Sequence, residues 1–351
     1  MGVPLCCPVD NLTSGKILLT GAAGFIGSVV VAELNNRGYE NIIVSDYLDR
    51  DERFLNLIGL RFEEYVDAND LLQILEDGNS FELACIFHLG ACAKTIEQDC
   101  NYLMRNNYEY TKALACFAAE NNIRFVYASS AATYGDGSNG MADDETKLET
   151  LRPFSMYAYS KHLFDLFARN NGLPAYGMKY FNVFGPNEYH KGDMGSVVMK
   201  AHESIVETGK VRLFKSKNPQ YADGYQRRDF LYIKDAVDMA IFLANVDTSV
   251  NGRKTHGIYN LGSEEAHSWI DLVTPVFETM GAPINIEYVD MPKDLEKKYQ
   301  YYTRGDISKL RSIGYDKKLF SLGESVSDYV KNYLLPGNKR MQDVKSSFVG
   351  G

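Results

Sequence analysis

The apolar positions of this chain change period along its length. Short β-rich runs, KILLT (16–20), NIIVSD (41–46), CIFHLG (85–90) and RFVYASS (124–130), alternate with amphipathic segments of helical spacing. That rhythm predicts βαβ units in a Rossmann-like, doubly wound parallel sheet of the α/β class, with ligands at the carboxyl ends of the strands. After about Asn182 the pattern loosens into loops containing Gly, Pro and Tyr, which predicts a smaller α/β lobe. Two later runs, DFLYI and GIYNLG, are expected to rejoin the sheet, so that the lobes interleave. The expected organisation is a first domain over 14–182 with returns at about 229–262, and a second lobe over 183–228 and 263–335. Residues 1–13 and 337–351 are expected to be mobile tails.

Residues 17–34, ILLTGAAGFIGSVVVAEL, are apolar enough to suggest a membrane segment. Three glycines at fixed spacing and Glu33 break that run into strand, turn and helix instead. The opening MGVPLCC resembles an acylation signal but has Cys6 where Ser or Thr is required, so a frayed terminus is expected.

With 351 residues, 45% hydrophobic and 24% charged, the chain has the length and composition of a two-lobed globular protein. Its 46 acidic against 37 basic residues leave a net charge of −9, which repels nucleic acid. The expected partners therefore exclude nucleic acid and membranes. Six cysteines (Cys6, Cys7, Cys85, Cys92, Cys100, Cys116) without paired spacing predict reduced thiols, no metal site and a cytoplasmic setting.

The turn TGAAGFIG puts Gly21, Gly24 and Gly27 between an apolar strand and a helix. Glycine allows a sharp turn and close backbone approach, and the helix start offers free N–H groups to a pyrophosphate. Asp46 closes the next strand about 20 residues on, the spacing of a dinucleotide fingerprint. Asp46 would accept from a ribose 2′-hydroxyl, which argues for NAD, whereas Arg50 and Arg53 could hold the 2′-phosphate of NADP. The local charges disagree and leave the choice open, with NADP favoured.

In SMYAYSKHLFD, Tyr157 and Lys161 lie four apart and share one helix face. A tyrosine with a reference pKa of about 10 is a poor base, but a nearby ammonium and a bound nicotinamide cation would stabilise its phenolate. Ser130, at the end of its strand, could hold a substrate oxygen. The bland alternative is an amphipathic surface helix with no chemistry.

On TGAAGFIG, Asp46, HLGACA, YASSAATYG, YAYSK and YFNVFGP, the chain resembles the extended short-chain dehydrogenase/reductase family over about residues 16–185. That resemblance implies a catalytic trio of Ser130, Tyr157 and Lys161. It also implies cofactor contacts from Gly21, Gly24, Phe25, Ile26, Gly27, Asp46, Tyr47, Arg53, Leu89, Gly90, Ala91 and Asn106. The family acts on nucleotide sugars as epimerases, dehydratases and reductases. Its dehydratases carry an Asp-Glu pair just after the serine or threonine, where this chain has Ala131-Ala132.

Downstream, YFNVFGPNEYHKGDMGSV, RRDFLYIKDAVD, GIYNLGS and KYQYYTRGDISKLRSIGYDK resemble the branch of that family that epimerises ADP-heptose, a precursor of lipopolysaccharide core sugars. The resemblance then extends to about residue 335. It implies a second catalytic group at Lys191 beside His190, with Asn182, Phe214, Arg228 and Tyr299 at the substrate. It also implies a homo-oligomer, with helices at about 99–121 and 156–170 as contact candidates. The match departs at Leu89, Asp193 and Lys200, and NPQYADGYQ (218–226) is longer than the pattern.

The inverted carbon of such a sugar has no adjacent carbonyl, so its C–H is too weak an acid to be removed directly. Transient oxidation to a planar ketone, followed by return of the hydrogen to the other face, avoids that barrier. Presenting the other face moves the ketone oxygen away from Tyr157, and Lys191 could serve it at its new place. The competing readings are another nucleotide-sugar epimerase or reductase of the family, and a catalytically silent dinucleotide-sensing module.

Overall fold

In a computed structural model the protein is described over residues 10–48, 50–78, 81–296 and 299–344. Six early strands, β1 (Lys16–Thr20), β2 (Ile42–Asp46), β3 (Glu64–Asp67), β4 (Leu83–His88), β5 (Arg124–Ser130) and β6 (Ala175–Tyr180), join the strand Gly257–Leu261. They form one seven-stranded sheet in the order Gly257–Leu261, β6, β5, β4, β1, β2, β3, with every neighbouring pair parallel. Chain order runs outward from β1 on one side and from β4 on the other. The β1/β4 boundary is therefore the switch point at which such sheets bind ligands.

Side chains alternate across the sheet, so β1 feeds two cores. Ile17 and Leu19 pack with Val30 of α1 (Phe25–Asn36) and Val237 of α7 (Ile233–Asn245). Leu18 packs with Leu71 of α2 (Leu71–Glu76), Leu114 of α4 (Tyr110–Glu120) and Phe164 of α5 (Met156–Asn170). Burial on both faces is why these strands read as continuous apolar runs. Between α3 (Cys100–Leu103) and α4 the chain widens into a π-helical turn, Met104–Glu109.

The second lobe holds β7 (Asn182–Phe184), α6 (Val197–Thr208), β8 (Val211–Phe214) and α8 (Trp269–Met280). β8 pairs in parallel with Ile286–Val289, and Arg227–Arg228 pairs antiparallel with His267–Ser268. Ser268 starts α8 through a reciprocal capping box with Asp271.

Two expectations change. GIYNLG joins the large sheet, but DFLYI does not: Phe230–Tyr232 pairs with β7. The edge beside β6 is already taken by Gly257–Leu261, and the Phe181 N–H also donates to the Leu261 carbonyl (3.1 Å). Parts of the expected tails are anchored by buried residues, although Thr13 and residues 337–339 are exposed. Leu12 is fully buried, Asn11 bonds Asn245 through backbone and side chain (2.7 and 2.9 Å), and Met341 is buried. Residues 1–9, with MGVPLCC, Cys6 and Cys7, and residues 345–351 lie outside the described residues. Among the described residues Cys85, Cys92, Cys100 and Cys116 are free thiols, and no helix is long and apolar enough to cross a membrane. Residues 17–34 form β1, a turn and α1.

Candidate functional site

At the switch point the backbone is packed too closely for side chains. A Cβ on Gly27 would meet the Gly21 carbonyl oxygen at 2.1 Å, and one on Gly21, at φ +71°, would meet the Gly90 nitrogen at 2.6 Å. The first turn of α1 is thus pressed against the β1 and β4 ends with its N–H groups open, which fits a dinucleotide pyrophosphate. Phe25 is buried and Ile26 half-buried at that helix start, while Leu89, Gly90 and Ala91 line the loop after β4. Leu89 N–H donates to the Thr20 carbonyl (3.1 Å) and Gly90 N–H to the Thr20 hydroxyl (3.2 Å).

Asp46 is buried at the end of β2, accepting from Ala23 N–H (2.8 Å) and Tyr47 N–H (2.7 Å). Burial pushes its carboxyl up, opposed by the Ala23 N–H and by Arg53, whose Nη1 lies 3.7 Å away. Arg53 is oriented by Asp51, whose carboxylate accepts its Nε (2.8 Å). Tyr47 is exposed beside them, and Arg50 lies at the surface.

α5 starts at Ser155, whose hydroxyl accepts from Ala158 N–H (3.2 Å), so Tyr157 and Lys161 occupy its first two turns. Tyr157 is half-buried; burial raises its phenol and a hydrogen bond with Ser130 acts the other way. Lys161 is buried and donates to the Ala128 carbonyl (2.8 Å). Burial lowers its ammonium to about 8, with Asp165 one turn on opposing the shift. Asp165 is itself buried, held by Lys179 (2.6 Å), the Ser129 hydroxyl (2.8 Å) and the Tyr127 phenol (3.0 Å). Strand alternation thus turns Ser129 towards this buried pair and leaves Ser130 to Tyr157.

Lys191 lies in the loop between β7 and α6, and its Nζ stands 5.0 Å from the centre of the Phe25 ring. That contact places it at the mouth of the glycine turn. Burial lowers its ammonium, Glu188 opposes the shift and Lys200 adds to it. Glu188 is fully buried and ties both ends of the loop, accepting from Gly185 N–H (3.2 Å), Ser196 N–H (2.7 Å) and the Ser196 hydroxyl (2.6 Å). His190 is held near 4, chiefly by burial and then by Arg53, and its Nδ1 faces the Asn56 amide at 3.2 Å. Of the departures from the expected pattern, Lys200 donates to the Asp193 backbone carbonyl (2.6 Å) and Asp193 is exposed.

Arg228 is buried, its guanidinium 4.9 Å from the Tyr299 ring centre and 5.9 Å from that of Trp269. Trp269 Nε1 donates to the Tyr299 hydroxyl (2.8 Å). Burial lowers Arg228 to about 10, and its Nη1 donates to the Arg227 carbonyl (2.9 Å) with no carboxylate among the described residues paired to it. Asn182 is exposed on β7 and Phe214 half-buried at the end of β8. Segment 218–226 forms one wall of an open cleft of about 500 Å³ lined by Gln220, Tyr221, Ala222, Tyr225, Arg227 and Tyr302.

A family model described as the NAD dependent epimerase/dehydratase family matches residues 17–262, from β1 through the last strand of the large sheet. The chain belongs to this family. An ADP-L-glycero-D-manno-heptose-6-epimerase of Nitratidesulfovibrio vulgaris is 44% identical over 322 residues, covering 90% of this chain and 97% of the relative. One of the same name from Fusobacterium nucleatum is 42% identical over 330 residues, covering 91% and 98%. A solved Helicobacter pylori protein of that name superposes with a TM-score of 0.75 at 27% identity, covering 92% of this chain and 98% of that one. A Thermus thermophilus UDP-glucose 4-epimerase solved with NAD gives 0.70 at 26%, covering 90% and 98%.

Within this epimerase/dehydratase framework the structure adds residues that motif reading missed. Asn106 turns its amide back to the Tyr102 carbonyl (2.8 Å). Its neighbour Asn107 is the one fully buried, bonding Cys92 through N–H and carbonyl (2.8 and 3.1 Å) and the Ser160 hydroxyl (3.1 Å). Asn56, Glu188 and Trp269 were also missed. Trp269 had a signal, being the single tryptophan of the chain, and Glu188 lies within the YFNVFGPNEYHKGDMGSV stretch; Asn56 sits in no recognisable pattern.

Proposed function

We propose that this protein inverts C6 of ADP-D-glycero-D-manno-heptose to give the L-glycero epimer, without net redox change, using a tightly held nicotinamide dinucleotide. The observation that carries this reading is Lys191, a partly desolvated lysine at the mouth of the glycine turn. It is carried by a different element from the Tyr157–Lys161 pair of α5, as a two-sided proton chemistry requires. The name shared by near-full-length relatives at 42–44% identity supports the heptose and the adenine nucleotide.

When bound, the nicotinamide supplies the oxidant that takes hydrogen from the sugar carbon and the reductant that returns it. Tyr157 Oη accepts the C6 hydroxyl proton, with Ser130 holding the same oxygen and the Lys161 ammonium favouring the phenolate. Lys191 Nζ gives a proton to the oxygen once the other face of the ketone is presented. Arg228 meets the pyrophosphate, whose charge compensates a buried guanidinium that pairs with no carboxylate among the described residues. Asn182, Phe214, His190 and Tyr299 complete the substrate contacts.

NADP stands ahead of NAD in this reading. Both Asp46 oxygens already accept backbone N–H groups, and Arg53 beside them brings a cation to the 2′-position. Mass spectrometry of the dinucleotide released from purified protein tests this; NAD alone would overturn it. The function itself is tested by incubation with ADP-D-glycero-D-manno-heptose and no added cofactor, resolving the epimers by chromatography. Conversion to a mixture of epimers is expected, and Lys191→Met is expected to slow it about 10²–10⁴-fold with fold and bound dinucleotide retained. An unchanged rate in Lys191→Met would sink the two-residue mechanism.

A further inference from the structure

We propose that Asn56 is a positioning residue that fixes the Lys191 loop against the dinucleotide turn. The inference rests on the reading of Lys191 as the second proton donor. Asn56 ends the short helix Glu52–Asn56, which also carries Arg53, and is 2% exposed. Its two amide hydrogens are spread over three acceptors: the Ala23 carbonyl (3.0 Å), the Asn187 carbonyl (3.1 Å) and His190 Nδ1 (3.2 Å). Ala23 lies inside the glycine turn, and its own N–H is held by Asp46. Asn187 and His190 stand on the approach to Lys191, 131 and 134 residues from Asn56 in sequence. One buried side chain therefore spans the cofactor turn, the Asp46–Arg53 corner and the Lys191 loop.

The remaining contacts fix Asn56 from behind. Its Oδ1 accepts from Arg340 Nε (3.2 Å), and its backbone carbonyl accepts from the Gln342 amide (3.1 Å). Asn187, at φ +75°, donates to the Ser28 hydroxyl of α1 (2.9 Å) and accepts from Met341 N–H (2.8 Å). The loop is thus registered on α1 and not merely closed at its ends by Glu188. A lysine side chain is long and flexible, so its Nζ is only as well placed as the backbone that carries it. A misplacement of about 1 Å at a reacting group costs on the order of 10²-fold in rate.

The test compares wild type, Asn56→Ala, Lys191→Met and the double variant on ADP-D-glycero-D-manno-heptose. Single turnovers with enzyme in excess keep slow rates readable, and kcat, KM and bound dinucleotide are measured alongside. Asn56→Ala is expected to lower kcat about 10- to 100-fold, with KM and dinucleotide content unchanged. It is expected to add no further loss in the Lys191→Met background. Multiplying losses, an unchanged kcat, or dinucleotide loss in step with activity would overturn the role of Asn56 alone. A wild type inert on this substrate, or a fully active Lys191→Met, would overturn the functional reading beneath it. If Asn56→Ala does not fold, Asn56→Ser, which keeps one donor, carries the same comparison.

Discussion

A buried cation costs several kcal/mol of desolvation unless something compensates it, and this site contains two such cations in different circumstances. Lys161 has Asp165 one turn away, yet burial still brings its ammonium down to about 8, against an ordinary value of 10.5. Folding therefore disfavours the charged form: the cost is full below pH 8, shrinks between 8 and 10.5, and is gone above. The proposed chemistry has the opposite need, because in it the ammonium favours the Tyr157 phenolate. We expect epimerisation to fall as pH rises through about 8, an alkaline limb seen in a pH profile; constant activity to pH 10 would contradict it. Arg228 pairs with no carboxylate among the described residues; its Nη1 donates to the Arg227 carbonyl (2.9 Å), and in the proposed reading the substrate pyrophosphate supplies the missing charge. Arg228→Met is expected to raise KM about 10- to 100-fold, the worth of a charge-assisted hydrogen bond, without lowering the melting temperature. These residue types were legible in the sequence because glycine, tyrosine and lysine spacings carry chemistry directly. Asn56 was not, because an asparagine that serves backbone carbonyls far away in sequence leaves no local pattern.

Among elements, α5 and β6 share a pair that no motif announces. Lys179 and Asp165, both essentially without exposure, join at 2.6 Å, and Lys179 also donates to the Thr133 hydroxyl (2.6 Å). The pair locks the helix carrying Tyr157 and Lys161 to the sheet. Removing one partner leaves a buried charge alone, so Lys179→Met is expected to cost about 3–5 kcal/mol in chemical denaturation. The double variant Lys179→Met/Asp165→Asn is expected to recover part of that loss; equal stability of both variants would contradict the pairing. Short continuous apolar runs bounded by turn residues located β1, β2, β4 and β5, and the apolar helix after the glycine turn located α1. The apolar pattern could not resolve the π turn at Met104–Glu109, whose extra width decides that Asn107 rather than Asn106 turns inward. Nor could it distinguish Phe230–Tyr232 from a strand of the large sheet, since both are short apolar runs and only the occupied edge beside β6 separates them.

At the scale of the molecule, the chain crosses between lobes several times: out after β6, back for α7 and Gly257–Leu261, and out again for α8. The crossings place the Lys191 loop from one lobe on the glycine turn of the other, with residues 340–342 wedged behind Asn56. Of the two late apolar runs only GIYNLG returns to the large sheet as expected, and the role of the segment after Gly337 was not readable. Its polar composition suggested a loose tail, while Met341 is buried and its backbone N–H serves Asn187. What this architecture is proposed to accomplish is removal and return of one hydrogen at one carbon, on opposite faces, between two proton-handling groups. The most direct test is epimerisation of ADP-D-glycero-D-manno-heptose in D₂O, followed by mass and NMR analysis of C6 after exchangeable positions are washed back to hydrogen. Transient oxidation requires that the product keep its original hydrogen at C6, with no solvent deuterium there. Deuterium at C6 accumulating with turnover would mean direct deprotonation and would contradict the account.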